Sequence, residues 1–204
     1  MSNAIANSSI DWDQEFEAYL KEIKTLAYMM LKSAEKFADL DALTYKVKDE
    51  WVSITWKDFG EQVRAVAKAL LEMDLLQPGE MAGIFSANRA EWAIADLGIL
   101  AIRSVSVPIY ATNSAEEAAH IVNDAGIKIM FVGEQEQYDR AKKVKAECSC
   151  LEKIVAFDRD IVISGDDSMY FDEMLDMGRK ADQDATLQER LNQVNPDDIL
   201  TLIY

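Results

Sequence analysis

The amino-acid sequence predicts an α/β fold, a mostly parallel sheet with flanking helices, preceded by an N-terminal helix and a β-hairpin. Three observations carry that expectation. "MAGIF", "IKIMFV" and "KIVAF" are apolar without polar alternation, as strands buried on both faces must be, and "SVSVPIY" adds a strand after the first of them. Segments with helical spacing of apolar residues lie between these runs, so strand and helix alternate. The connections are short, which favours parallel neighbours joined by right-handed crossovers.

Taken in order, residues 1–12 read as a disordered or tag-like N-terminus and residues 13–204 as one unit. From Gln14 to Leu31, apolar residues including Phe16, Leu20, Ile23, Ala27 and Met30 mark one face of an amphipathic helix. In "ALTYKVKDEWVSITW", Leu43, Tyr45 and Val47 alternate with polar residues, "KDE" turns, and a return strand follows. Thr55, with Asp58 three residues on, opens a helix whose buried side is Phe59, Val63, Val66, Ala67 and Leu70, and Pro78-Gly79 form the turn after it. "RAEWAIADLGILAIR" is apolar nearly all round, the mark of a helix covered on both sides. Ser114 and Glu117 form a capping box for the helix carrying Ala118, Ile121, Val122 and Ala125, and Gly126 suits the left-handed position beyond it. "EQEQYDRAKKVKAEC" is the next helix. From Asp158 to Asn195 the pattern weakens to two short helices, "YFDEMLDMGRK" and "TLQERLNQV". The closing "ILTLIY" reads as one more buried strand.

Composition narrows the function. Half of the residues are hydrophobic and 28% are charged, ordinary values for a globular chain. A net charge of −16 argues against nucleic acid and anionic membrane surfaces, which are bound through Lys and Arg. Between Asp158 and Asp198, twelve Asp and Glu face four Lys and Arg, a solvated acidic stretch without the spacing of a calcium loop. No apolar run approaches the ~20 residues of a membrane helix, and the N-terminus lacks a signal-peptide pattern, so a cytoplasmic location is expected. Cys148 and Cys150 stand too close for a disulfide and, with one histidine in the chain, too few for structural zinc. His120 reads as a packing or surface residue.

The motifs of nucleotide and acyl chemistry are missing. The eight glycines form no G-x-G pair and no G-x-x-x-x-G-K-[ST] loop, so neither close backbone approach to phosphate is available. There is no G-x-S-x-G elbow, and the acidic positions of a receiver domain are unfilled. Read alone, the residues describe an α/β unit without a self-contained catalytic set.

One stretch goes further: "IFSANRAEWAIADLGILAIRSVSVPIYATNSAEEAAHIVNDAGIKIMFV". With its serine-ended strand followed by "NRAEWAIAD", then "VPIYATNSAEE", it resembles the N-terminal region of the adenylate-forming acyl-CoA synthetases, nearest the long-chain fatty acid–CoA ligase branch. The likeness runs from about Leu26 to Tyr204. It implies a parent enzyme that activates a fatty acid with ATP and Mg²⁺ through an acyl-adenylate, then transfers the acyl group to coenzyme A. In that family a strand like "DDILTLIY" leads into the phosphate loop T-S-G-T-T-G-x-P-K-G. The chain is therefore expected to be an N-terminal subdomain truncated just before that loop, inactive in isolation, with no catalytic and no metal-binding residue of its own.

The resemblance also assigns residues. Tyr110, Ala111 and Thr112 match a loop that borders the coenzyme A channel, although some relatives carry Gly where this chain has Ala111 and Thr112. On the residues' own chemistry, Arg89 is expected as a helix-entry or interdomain ion-pair partner, Trp92 as core, and Asp96 as a carboxylate needing a hydrogen-bond partner. Arg103 falls where many relatives have glycine, an exchange the sequence does not explain. Two other readings stay open: an aryl-acid or amino-acid adenylating ligase, and a stand-alone α/β interaction module that buries its final strand against a partner. The truncated reading instead expects an exposed apolar face and self-association through it.

Overall fold

The computed structural model describes Gln14, Glu17 and residues 25–195 and 197–204. Most of the first part of the helix expected from Gln14 lies outside these residues, and the rest shows that one unbroken helix does not reach Leu31. Thr25 is extended, and its side chain accepts a hydrogen bond from Tyr28 N, so helix α1 (Leu26–Lys36) starts afresh there. Strands β1 (Asp41–Val47) and β2 (Glu50–Thr55) form the expected hairpin, its turn made by Lys48 at a φ of 57°. Helix α2 (Trp56–Met73) begins at the expected cap, where Thr55 Oγ1 accepts from Asp58 N.

The alternation follows as expected: β3 (Met81–Phe85), α3 (Ala90–Ala101), β4 (Val105–Ile109), α4 (Ala115–Ala125), β5 (Ile129–Val132), α5 (Gln135–Glu147) and β6 (Lys153–Ala156). The capping box at Ser114 is formed, and Gly126 takes the left-handed conformation. Then come β7 (Ser168–Tyr170), α6 (Phe171–Lys180) and α7 (Asp184–Asn192). The sheet is parallel throughout, in the order β4-β3-β5-β6-β7. One face packs against α1, α2, α3, α6 and α7, centred on the rings of Phe131, Phe157 and Phe171. The other face packs against α4 and α5. Helix α3 touches α1 and α2 on one side and β3 and β4 on the other, which is why its sequence is apolar nearly all round.

Three features depart from the sequence reading or complete it. The irregular stretch after β6 is organised by Tyr138, which is 2% exposed. Its hydroxyl accepts from Ser164 N at 2.7 Å and lies 3.1 Å from Ser168 Oγ, while Lys142 Nζ, one helical turn on, binds both oxygens of Asp167 at 2.7 and 2.9 Å. This network seats β7, the three-residue strand that the sequence does not announce. Tyr138→Phe leaves Ser164 N–H without its acceptor, at an expected cost of about 1–2 kcal/mol. Denaturant unfolding with limited proteolysis checks it: cleavage should concentrate between residues 158 and 168, and an unchanged midpoint would contradict the assignment.

Second, Arg103 has a φ of +65°. Arg103 N donates to Leu100 O and Ser104 N to Ile99 O, the bonding of a Schellman helix end with Arg103 at the left-handed position. That position favours glycine, which supplies the physical reason a glycine suits it and leaves the arginine to be explained by its side chain.

Third, the closing apolar run is neither a full strand nor buried. It lies outside β4 as a single parallel bridge between Thr201 and Ser106, with Ser106 N donating to Leu200 O at 2.9 Å and Leu202 N to Ser106 O at 3.2 Å. Along β4, Ser106 and Pro108 turn their backbone groups to this same outer side, and Pro108 has no N–H to give, so the ladder stops there. Leu202 packs against the core, but Ile199 and Ile203 are 62% and 75% exposed. The expected buried strand is thus an edge segment, with none of the described residues pairing on its outer side.

Candidate functional site

In a doubly wound sheet the crevice beyond the strands' carboxyl ends, where strand order reverses, is the usual ligand position. Here that point lies between β3 and β5. It is closed by the chain's own residues. Arg89, the first residue outside α3, sends NH1 and NH2 to the two oxygens of Asp158, both at 2.8 Å, NH1 also to Gly133 O at 3.1 Å, and Nε to Glu91 at 2.7 Å. The guanidinium also lies 5.3 Å from the centre of the Phe157 ring. Burial pulls the Arg89 pKa down, but the hydrogen bonds to Asp158 and Glu91 more than offset this and raise it. A side chain added at Gly133 would sit 2.3 Å from Ser86 Oγ, so the two loops are also pressed together. Of the two roles expected for Arg89, the structure shows the ion pair at the helix entry.

Space opens beside this plug, over the ends of β3 and β4. A cavity of about 490 Å³ is lined by Ser86, Asn88, Trp92, Pro108, the run Tyr110–Thr112, and Ile203. The three loop residues singled out in the sequence therefore share one wall. Their loop is held from behind: Asn113 N donates to Tyr110 O, Gln137 Nε2 and Arg140 NH1 donate to Ala111 O, and Arg140 NH1 also reaches Asn113 O at 2.8 Å. Arg140 is further engaged by Glu136. Its donors face the loop carbonyls and that carboxylate, and none of the described residues lining the cavity is a Lys or Arg. The wall suits an apolar or neutral thread better than a polyphosphate.

Trp92 corrects its expectation in part, since it packs on the core yet is only half-buried and lines the cavity. Asp96, one turn further along α3, has its pKa raised by burial; the Ser106 hydroxyl offsets part of the rise without closing a full hydrogen bond. Asn88 and Ile203 are lining residues that sequence reasoning missed. The available signal was topological: in a parallel sheet, segments just beyond adjacent strand ends, "SANR" and "YATN", must meet at one edge.

A family model described as AMP-binding enzyme matches residues 30–204. The chain belongs to that family. Among curated relatives, a long-chain-fatty-acid–CoA ligase of Xenopus laevis is 27% identical over 180 residues, 88% of this chain and 24% of the relative. A long-chain-fatty-acid–CoA ligase of Mycobacterium tuberculosis is 30% identical over 168 residues, 81% of this chain and 27% of the relative. The chain thus spans about a quarter of the length of these relatives. In three dimensions it resembles the coronafacic acid ligase of Pectobacterium brasiliense, with a TM-score of 0.73 and 17% identity over 89% of this chain and 33% of that one. An anthranilate CoA ligase solved with anthranoyl-AMP gives 0.65 and 20% identity, over 75% of this chain and 28% of that one. These likenesses establish the α/β architecture as that of the family's N-terminal region.

The residues of this AMP-binding family member do not by themselves fit its nucleotide. The glycines needed for close phosphate approach are missing from the 204 residues, and Arg89 and Asp158 fill the switch point. Among the described residues no group of three or more His, Cys, Asp or Glu is placed to hold a metal ion, and no helix is long and apolar enough to cross a membrane. No step involving ATP or Mg²⁺ is assigned to these side chains.

Proposed function

We propose that residues 13–204 are the N-terminal subdomain of a longer ligase that joins long-chain fatty acids to coenzyme A through an acyl-adenylate, and that this subdomain alone is inactive. The observation that carries the reading is the match of the family model over residues 30–204, joined to curated relatives that are long-chain-fatty-acid–CoA ligases, of which the aligned residues make up 24% and 27%. ATP, Mg²⁺ and the adenylate chemistry then belong to the remainder of the parent. This part supplies the scaffold and one wall of a channel.

The cavity supports a specific share in that task. Tyr110, Ala111 and Thr112 border the coenzyme A path, where an uncharged pantetheine arm passes a wall without cations. The clamped loop keeps that wall in place without reorganising on binding, which lowers the cost of ordering it.

ATP–pyrophosphate exchange tests the assignment, run on these 204 residues and on the product of the gene read past Tyr204. The expected result is no exchange by the shorter protein and exchange by the longer one, strongest with long-chain fatty acids. Exchange by the 204 residues alone overturns the inactive-subdomain reading. Preference of the longer protein for an aryl or amino acid overturns the substrate class, and no exchange with any acid overturns the ligase.

A further inference from the structure

Arg103 carries a contradiction that needs a cause. A residue with a Cβ is disfavoured at its left-handed backbone position, and glycine would end α3 with less strain. Its side chain reaches across 95 residues of sequence to Asp198: Nε lies 3.0 Å and NH2 2.9 Å from the same oxygen, Oδ2. That oxygen also accepts from Asn195 N at 3.1 Å, and Asp198 N donates back to Asn195 O at 2.9 Å, so the carboxylate sits in a closed turn. Both side chains of the pair are more than two-thirds buried. Two residues beyond Asp198 begins the segment that, among the described residues, is bonded to the sheet by the two hydrogen bonds at Ser106. Two backbone bonds on an edge that Pro108 prevents from extending hold a segment weakly. They do not explain a fixed register.

We propose that Arg103 is a positioning residue: its ion pair with Asp198 latches the closing segment to the β4 edge in the register that places Ile203 in the cavity wall. The arrangement is economical in space. Gly79 N donates to Arg103 O at 2.8 Å, tying the arginine's backbone to the turn before β3, while its side chain holds the far segment. The latch is thus anchored to the sheet at one end and to the closing segment at the other. A one-residue slip of the segment would move Asp198 about 3.3 Å along the strand and break the pair, and would also swap the faces that its side chains occupy. The pair therefore adds a register constraint to those of Leu202, which packs against the core, and of Tyr204, whose hydroxyl donates to Asp124 at 2.7 Å, whereas the exposed Ile199 and Ile203 add none.

Amide hydrogen exchange is compared in the unaltered protein, Arg103→Gly, Arg103→Lys and Asp198→Asn. Arg103→Gly is expected to relieve the strained helix end, leaving global stability unchanged or higher, while exchange at the Ser106 and Leu202 amides quickens about fivefold or more. A residue serving only general stability would move both readouts the same way. Arg103→Lys should restore part of the protection, since an ammonium reaches Oδ2 without the two-pronged grip. Asp198→Asn keeps an acceptor for Asn195 N, removes the charge, and should loosen the same two amides. Unchanged protection of Ser106 and Leu202 in Arg103→Gly overturns the latch, and so does loosening spread evenly over β3, β5 and β6.

Discussion

Gly178→Ala is expected to lower stability by about 3 kcal/mol, moving the melting temperature down by roughly 6–12 °C for a chain of this size. Helix propensity alone argues the opposite, because alanine in a helix interior is favoured over glycine by about 1 kcal/mol. Packing decides the sign. A Cβ at Gly178 would stand 1.8 Å from the carbonyl oxygen of Ala65 and 2.6 Å from its carbonyl carbon. These are backbone atoms of α2, which no rotamer change can move aside. Helix α6 would have to lift off α2, withdrawing Phe171, Met174 and Leu175, all buried, from the core they share with the sheet. Thermal or urea unfolding measures the effect, with Lys180→Ala on the exposed side of α6 as the control, expected within about 0.5 kcal/mol. A Gly178→Ala protein as stable as the parent would mean that α6 does not rest on α2 at this distance.

The reasons some elements were legible in the sequence, and others not, are physical. The capping box at Ser114, the Thr55 cap and the left-handed Gly126 are written in residues three or four apart, so local chemistry is enough to find them. The buried strands announce themselves because both faces are covered. Strand β7 does not: it is three residues at the sheet's edge with only Met169 buried, and it owes its place to Tyr138 and Lys142 some thirty residues earlier. The closing run has the composition of a buried strand, while the feature that limits it, Pro108, sits on another strand. Thr25 caps Leu26–Lys36 through its own side chain, yet the apolar period of the sequence continues across it and hides that helix start. At the candidate site, Tyr110–Thr112 were found through family likeness. Asn88 and Ile203 required knowing which strands are neighbours, and the arginine's role at position 103 required knowing what lies 95 residues downstream.

Arg89→Ala is expected to cost about 2 kcal/mol and to lower the melting temperature by roughly 4–8 °C, without making the switch point a better anion site. Breaking a fully buried pair by removing one partner costs more, near 3–5 kcal/mol, but here the Asp158 side chain is 42% exposed and regains water when its partner is lost. What remains uncompensated is Glu91, the carbonyl of Gly133 and the stacking on Phe157. Arg89→Lys keeps the charge but not the two parallel bonds to Asp158, so about half of the loss should persist. A double-mutant cycle with Asp158→Ala isolates the pair: the double variant should be more stable than the sum of the single losses predicts, by about 1 kcal/mol. Strict additivity would show that the two side chains do not support each other. That result would free the Arg89 guanidinium for a phosphate and reverse the conclusion that this crevice is closed by the chain itself.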